Sequence, residues 1–201
     1  IGNSASVQVS FNAFSFPFCG SNYSSAYMIT DGRITFGSAD TDSSDSLGDL
    51  TGDTTVMAYW DDLTVPNNGT EWVEFDGVVG FYWLNPYEQY TFSYQDLSAY
   101  ILLFEDGRIF IQTTNLDVST FTRDATVGWA CTPSSTPTES NLSSVMSTLA
   151  GTTGTWGVGT GTERAYVESF GGWIFGDSFD LENVPLRFCG NPGTGTTACA
   201  E

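Results

Sequence analysis

Apolar and polar residues alternate with a period of two along most of the chain, the pattern of strands that bury one face and wet the other. Val7, Val9 and Phe11, interleaved with Gln8, Ser10 and Asn12, form the first such run. The arms Ala26 to Thr30 and Arg33 to Phe36 flank Asp31-Gly32, and Tyr100 to Glu105 and Arg108 to Ile111 flank Asp106-Gly107. An Asp-Gly between alternating arms predicts a β-hairpin with a type I′ turn, which needs positive φ at both central positions. Further strands are expected at Thr55 to Trp60, Glu71 to Phe75, Val78 to Trp83, Gln89 to Tyr94, Ala125 to Ala130, Arg164 to Phe170, Trp173 to Phe175 and Val184 to Phe188. Turn residues separate them at short intervals, as in a sandwich or jelly roll.

Helical spacing occurs once, over Asn141 to Ala150, where Leu142, Val145, Met146 and Leu149 share a face and Ser140 is the expected cap. A parallel α/β sheet needs a crossover helix for each strand pair, so one helix argues against it. The expected fold is therefore all-β: a single antiparallel β-sandwich or jelly-roll-like domain over residues 1–190 with one short helix. Residues 191–201 are expected to be a loop-like tail. The Gly-Thr-rich stretch 151–161 contains Trp156 and is read as an ordered loop or strand rather than a linker.

Composition narrows the class. With 40 % hydrophobic and 15 % aromatic residues in 201, the chain can bury a substantial core and is not disordered. There is no His and no Lys; the five basic residues are all Arg, against 24 carboxylates and a net charge of −19. That removes imidazole bases, Ser-His-Asp triads, His-ligated zinc, Schiff-base lysines and the P-loop lysine. So acidic a chain repels nucleic acid and anionic lipid. It also has no apolar run long enough for membrane insertion. Its start at Ile1, without a leader, fits a processed secreted protein and equally a trimmed chain.

The four cysteines, Cys19, Cys131, Cys189 and Cys199, are even in number and form no CxxC pair. Structural disulfides in an oxidising compartment are expected. Cys19 and Cys189 each end an apolar strand near a terminus with similar flanks, Phe18-Cys19-Gly20 and Phe188-Cys189-Gly190. Since domain termini often lie close together, the expected pairing is Cys19–Cys189 with Cys131–Cys199.

From Tyr27 to Leu63 the order is a strand, Asp31-Gly32-Arg33-Ile34-Thr35-Phe36-Gly37, an acidic loop, then Val56-Met57-Ala58-Tyr59-Trp60-Asp61-Asp62-Leu63. Downstream come Leu102-Leu103-Phe104-Glu105-Asp106-Gly107-Arg108-Ile109 and Ala125-Thr126-Val127-Gly128-Trp129. This order resembles the nidogen-like extracellular module over roughly residues 27–130, with Asp-Gly where that module typically has Asn-Gly. The resemblance implies an all-β extracellular module of matrix or cell-surface proteins, with adhesive or structural use and no catalysis.

Candidate chemistry lies mainly in the acidic loop. Eight aspartates fall between Asp31 and Asp62, and Asp40, Asp42 and Asp45 are closely spaced hard oxygen donors of the kind Ca²⁺ takes. With Asp61 or Asp62 they make a candidate Ca²⁺ site, although the spacing is not that of an EF-hand; the other reading is a solvated acidic loop. Glu71 and Glu74, like Glu163 and Glu168, have spacings that put the two carboxylates on opposite faces of a strand, which is unfavourable for paired acid–base catalysis. Tyr90, Phe92 and Tyr94 share one face and, with Phe81-Tyr82-Trp83, are either a sugar-stacking platform or sandwich core. Sequons occur at Asn22, Asn68 and Asn141, about as many as chance gives; Asn68, in the turn Pro66-Asn67-Asn68-Gly69, is the best placed for glycosylation.

These residues point to a non-enzymatic, secreted structural or adhesive module at the cell surface, including the subunit of an extracellular filament or matrix assembly. Its partners would be itself, other extracellular proteins or glycans. The alternative is a calcium-assisted, lectin-like carbohydrate-binding module. The segment Ser4 to Phe16 either lies in the chain's own sheet or adds a strand to a neighbour's.

Overall fold

The computed structural model describes residues 4–43, 46–66, 69–88, 97–114, 125–134, 136–144, 157–158, 165–170 and 179–189. Two six-stranded sheets make the body. The first runs in the order β1 (Ser6–Ser10), β4 (Ser25–Ile29), β5 (Arg33–Thr35), β6 (Thr54–Trp60), β13 (Ala125–Cys131) and β15 (Ala165–Phe170), antiparallel throughout. The second runs β14 (Gly157–Val158), β16 (Leu186–Cys189), β12 (Ile109–Thr114), β11 (Ser98–Phe104), β9 (Val78–Leu84) and β8 (Thr70–Phe75); only the β14–β16 pair is parallel. Two small ladders complete the set, β2 (Phe16–Phe18) with β3 (Ser21–Tyr23) and β7 (Leu63–Thr64) with β10 (Tyr87–Glu88). The all-β antiparallel sandwich expected from the alternation is the observed fold.

The period-two residues meet between the sheets. Val9, Met28, Ile34, Val56, Ala58, Val127 and Trp129 from the first sheet pack in one cluster with Val79, Phe81, Trp83, Ile101, Leu103, Ile109, Ile111 and Phe188 from the second. Two side chains join the sheets: Thr113 Oγ1 donates to the Ala58 carbonyl of β6 at 2.9 Å, and Trp83 Nε1 to the Ile29 carbonyl of β4 at 2.7 Å. Buried polar atoms are costly without partners, so these bonds fix how the sheets stack. The first sheet also has a second, smaller core on its outer face, where Leu50 from the acidic loop covers Met57, Trp60, Ala130 and Val167.

Three expectations change. The hairpins turn over three residues rather than two: Ile29 pairs with Arg33, and Leu103 with Ile109 while Phe104 N–H donates to the Arg108 carbonyl. Positive φ falls on Gly32 (82°) and Gly107 (91°) but not on Asp31 or Asp106, so these are not type I′ turns but the three-residue kind that ends on a left-handed glycine. The helix starts at Leu142, and its cap is Asn141, not Ser140, since Asn141 Oδ1 accepts the Ser144 N–H at 2.7 Å. The rest of the expected helix, and the strands expected at 89–94 and 173–175, lie outside the described residues. Of the two placements open to the N-terminal segment the structure shows the first, in the chain's own sheet: β1 pairs with β4 from Ser6↔Ile29 to Ser10↔Ser25.

The third change is the disulfide. Cys19 bonds Cys131, with Cα atoms 5.3 Å apart, so neither Cys19–Cys189 nor Cys131–Cys199 exists. Packing decides this. Phe18 meets the edge of Trp129 at 6.1 Å, which brings the β2–β3 turn to the end of β13 where Cys131 sits. Cys189 closes β16 in the other sheet, and the similarity of its flanks to those of Cys19 reflects only two apolar strands ending alike.

Candidate functional site

The most heavily charged buried region lies at the β4–β5 hairpin and the loop after β5. Arg33 is fully buried on β5, at a position where alternation would otherwise put an apolar or wetted residue. Its Nη2 donates to Asp40 Oδ2 and to the Asp42 carbonyl, both at 2.9 Å, and its Nη1 lies 3.4 Å from Asp53 Oδ2. The guanidinium stacks on the Trp60 ring at 4.1 Å from the centroid. Trp60 Nε1 in turn donates to the Asp42 carbonyl at 3.4 Å. A planar fork with several donors, weakly hydrated and suited to stacking on indole, is what arginine supplies and lysine does not.

The loop is thus pinned at two points, by Arg33 through charge and by Leu50 through burial. Asp40 Oδ1 also accepts the Asp42 N–H at 2.9 Å, which holds the bend. Asp40 and Asp53 share the guanidinium and are close enough to interact. Burial pushes both carboxyls up, but the Asp42 N–H and Arg33 hold Asp40 below its ordinary value. Asp53, facing an ionised Asp40, is raised to about 6 by burial and by that neighbour, against the pull of Arg33.

A second acidic group sits at the hairpin itself. Asp31 is fully buried, its Oδ2 has no hydrogen-bond partner, and Thr30 Oγ1 lies 3.5 Å from its Oδ1. Its pKa is raised to about 7, first by burial and then by the charge of Asp62; bonds from Ser4 and the Arg33 charge oppose this. Backbone contacts hold the hairpin tip against β6 and the residue after it. Asp61 N–H donates to the Asp31 carbonyl at 3.3 Å, and Ala58 and Tyr59 N–H both donate to the Gly32 carbonyl at 3.0 and 3.3 Å. Gly32 is obligatory there, because a Cβ would lie 1.8 Å from the Tyr59 carbonyl oxygen.

The five aspartates read as calcium ligands therefore fall into separate settings. Asp40 and Asp42 surround a guanidinium, Asp61 and Asp62 stand with Asp31, and Asp45 lies outside the described residues. Among the described residues no three His, Cys, Asp or Glu side chains gather in a way that could hold a metal ion. Arg33 itself is the residue that sequence reasoning missed. A signal was present: it is the only basic residue before Arg108, and it stands inside the stretch that holds eight aspartates.

The remaining candidates have structural placements. Glu74 accepts the backbone N–H groups of Asn12 and Ala13 at 2.7–3.0 Å; those bonds hold its carboxyl below the ordinary range. Glu71 stands on the other face of β8, opposite Tyr82. Glu168 is buried and raised by that burial, although it accepts the Leu142 N–H at 2.7 Å and so ties the helix start to β15. Phe81 and Trp83 are core, while Tyr82 faces outward; Tyr90, Phe92, Tyr94 and Glu163 lie outside the described residues. Of the sequon asparagines, Asn22 is exposed on β3, Asn141 is exposed but engaged as a cap, and Asn68 lies outside the described residues.

A protein-family model described as NIDO related matches residues 3–167, from just before β1 into β15. No curated protein and no solved structure matches the chain.

Proposed function

The chain belongs to the NIDO-related family of nidogen-type modules, and from that premise we propose that it is a non-enzymatic structural or adhesive unit that works outside the cell through its surfaces. The observation that carries this reading is the Cys19–Cys131 disulfide, which links residues 112 apart. Such a bond persists in oxidising, extracellular settings and is rare inside cells. The use made of charged groups supports it too. The buried Arg33 and its aspartates hold a loop, Glu74 holds the β1–β2 connection, and Glu168 holds a helix start. Among the described residues no helix is long and apolar enough to cross a membrane.

The test is negative-stain electron microscopy of the purified, oxidised chain together with its retention on a glycan array. Filaments or large oligomers that ignore the array support the structural reading. Small particles retained on the array in a calcium-dependent way support the lectin-like alternative instead.

A further inference from the structure

The two sheets differ on their outer faces. That of the first is covered over β6, β13 and β15 by the chain's own acidic loop through Leu50, and over β1 it carries the exposed polar residues Ser6, Gln8 and Ser10. That of the second carries rows of apolar and aromatic side chains that keep solvent exposure. One row is Glu71, Tyr82, Tyr100 and Gln112, directly opposite one another across β8, β9, β11 and β12. The next is Val73, Gly80, Leu102, Phe110 and Arg187, which reaches β16. Phe75 and Phe104 stand beyond them on the same face. Val73 and Phe75 are 41 % and 52 % exposed, and Tyr82, Tyr100, Leu102, Phe104, Phe110 and Arg187 are partly so. A sheet face in water would carry charged and hydroxyl side chains here.

We propose that this face is where a second copy of the chain docks, sheet against sheet. The proposal rests on the structural reading above and supplies the surface through which it would operate. Charge selects the occupant. In a molecule of net charge −19 two copies repel over most of their surfaces, yet in these two rows the charged residues are one Glu and one Arg. They stand at opposite sides of the sheet, Glu71 on β8 and Arg187 on β16, with β11 midway. A two-fold axis parallel to the strands and passing over β11 lays β8 of each copy across β16 of the other. Each Glu71 then comes within one row, about 7 Å along the strand, of the other copy's Arg187, which long side chains span. The symmetry makes two such contacts per dimer.

A bound sugar fits this face less well. Tyr82 and Tyr100 stack at 6.1 Å and Tyr100 and Phe110 at 5.9 Å, with interplanar angles of 28° and 16°. Ring faces are thus directed at one another, and Arg187 lies over Phe110 at 6.0 Å. The face measures about 20 by 15 Å from strand and residue spacings, below the ~800 Å² per partner of a stable dimer. The dimer is therefore concentration-dependent.

Sedimentation velocity of the full chain over a wide concentration range tests this, with Glu71→Arg, Arg187→Glu and the double exchange, each checked for an unchanged melting temperature. Each single reversal should raise the dimer Kd about tenfold by placing like charges together, and the double exchange should bring it back to near the wild-type value. Leu102→Glu, at the centre of the face, should abolish dimers. Self-association untouched by these changes would overturn the face while leaving the structural reading standing. A wild-type chain monomeric at every concentration would overturn the dimer while leaving standing an adhesive unit that binds other molecules. A monomer whose tyrosine fluorescence responds to chitohexaose would assign the face to glycans and overturn the dimer.

Discussion

Asp31 and Arg33 carry opposite lessons about buried charge. Asp31 is buried with one oxygen unpartnered, and its pKa of about 7 lies above the 3.8 of an ordinary aspartate. The native state therefore holds a proton that the unfolded chain has already lost between about pH 4 and pH 7. By linkage, this contribution to stability is complete below the unfolded value and is lost as pH rises through the native one. Asp53, raised to about 6, has the same sign over a narrower window. The Asp31→Asn variant should melt at the wild-type temperature near pH 4 and above it at pH 8, as read by scanning calorimetry at both values. Equal melting temperatures at pH 8 would mean that Asp31 ionises freely. Arg33, in contrast, is needed because it is buried among carboxylates. Arg33→Met leaves Asp40 and Asp53 facing each other without a cation. Since their side chains are 30 % and 26 % exposed, the cost should fall toward the lower end of the ~3–5 kcal/mol for breaking a buried pair. The cleavage rate of the loop between β5 and β6 by a protease should rise. Loss of stability without faster cleavage there would show that Arg33 does not pin the loop.

At the scale of elements, the alternation was enough to locate the main strands of both sheets, because a half-buried strand writes its burial into every second residue. The bounds agree closely for Thr54–Trp60, Val78–Leu84 and Ala125–Cys131, although the first and last are buried on both faces and are marked by an apolar run between turns rather than by alternation. What alternation cannot encode is a contact between elements distant in sequence. Asp31-Gly32 signals a turn, but the burial of its tip is set by β6, whose Ala58 and Tyr59 N–H groups both reach the Gly32 carbonyl. The Cys19 partner is likewise set by Phe18 against Trp129. The Arg33 cage joins β5 to a loop whose residues follow no period. Short pairings such as β7 with β10 leave too few residues to show a pattern. Gly32→Ala tests the hairpin placement: it combines strained φ with a backbone clash, so its cost should exceed about 4 kcal/mol, among the largest for one site. Gly37 also has positive φ, at 87°, but open space where a Cβ would stand, so Gly37→Ala should cost only the ~1–2 kcal/mol of left-handed backbone. Equal losses by urea titration would contradict the close packing of Gly32 on β6.

For the whole molecule, the two outer faces and the charge set the behaviour. One face is covered over β6, β13 and β15 by an acidic loop held on by a buried arginine, and the other is apolar with one charge of each sign in its two main rows. Like charge between copies opposes association, and physiological salt screens it over a Debye length of about 8 Å. The disulfide closes a 112-residue separation, a loop length at which a cross-link contributes on the order of 5 kcal/mol, so the module can hold its shape while its surfaces engage partners. The most direct measurement of the central claim is the mass of the oxidised wild-type chain by light scattering as concentration is raised at physiological salt. The expected result is a mass that climbs from one chain, 21.7 kDa, toward two. A mass fixed at 21.7 kDa throughout would contradict a self-associating structural module.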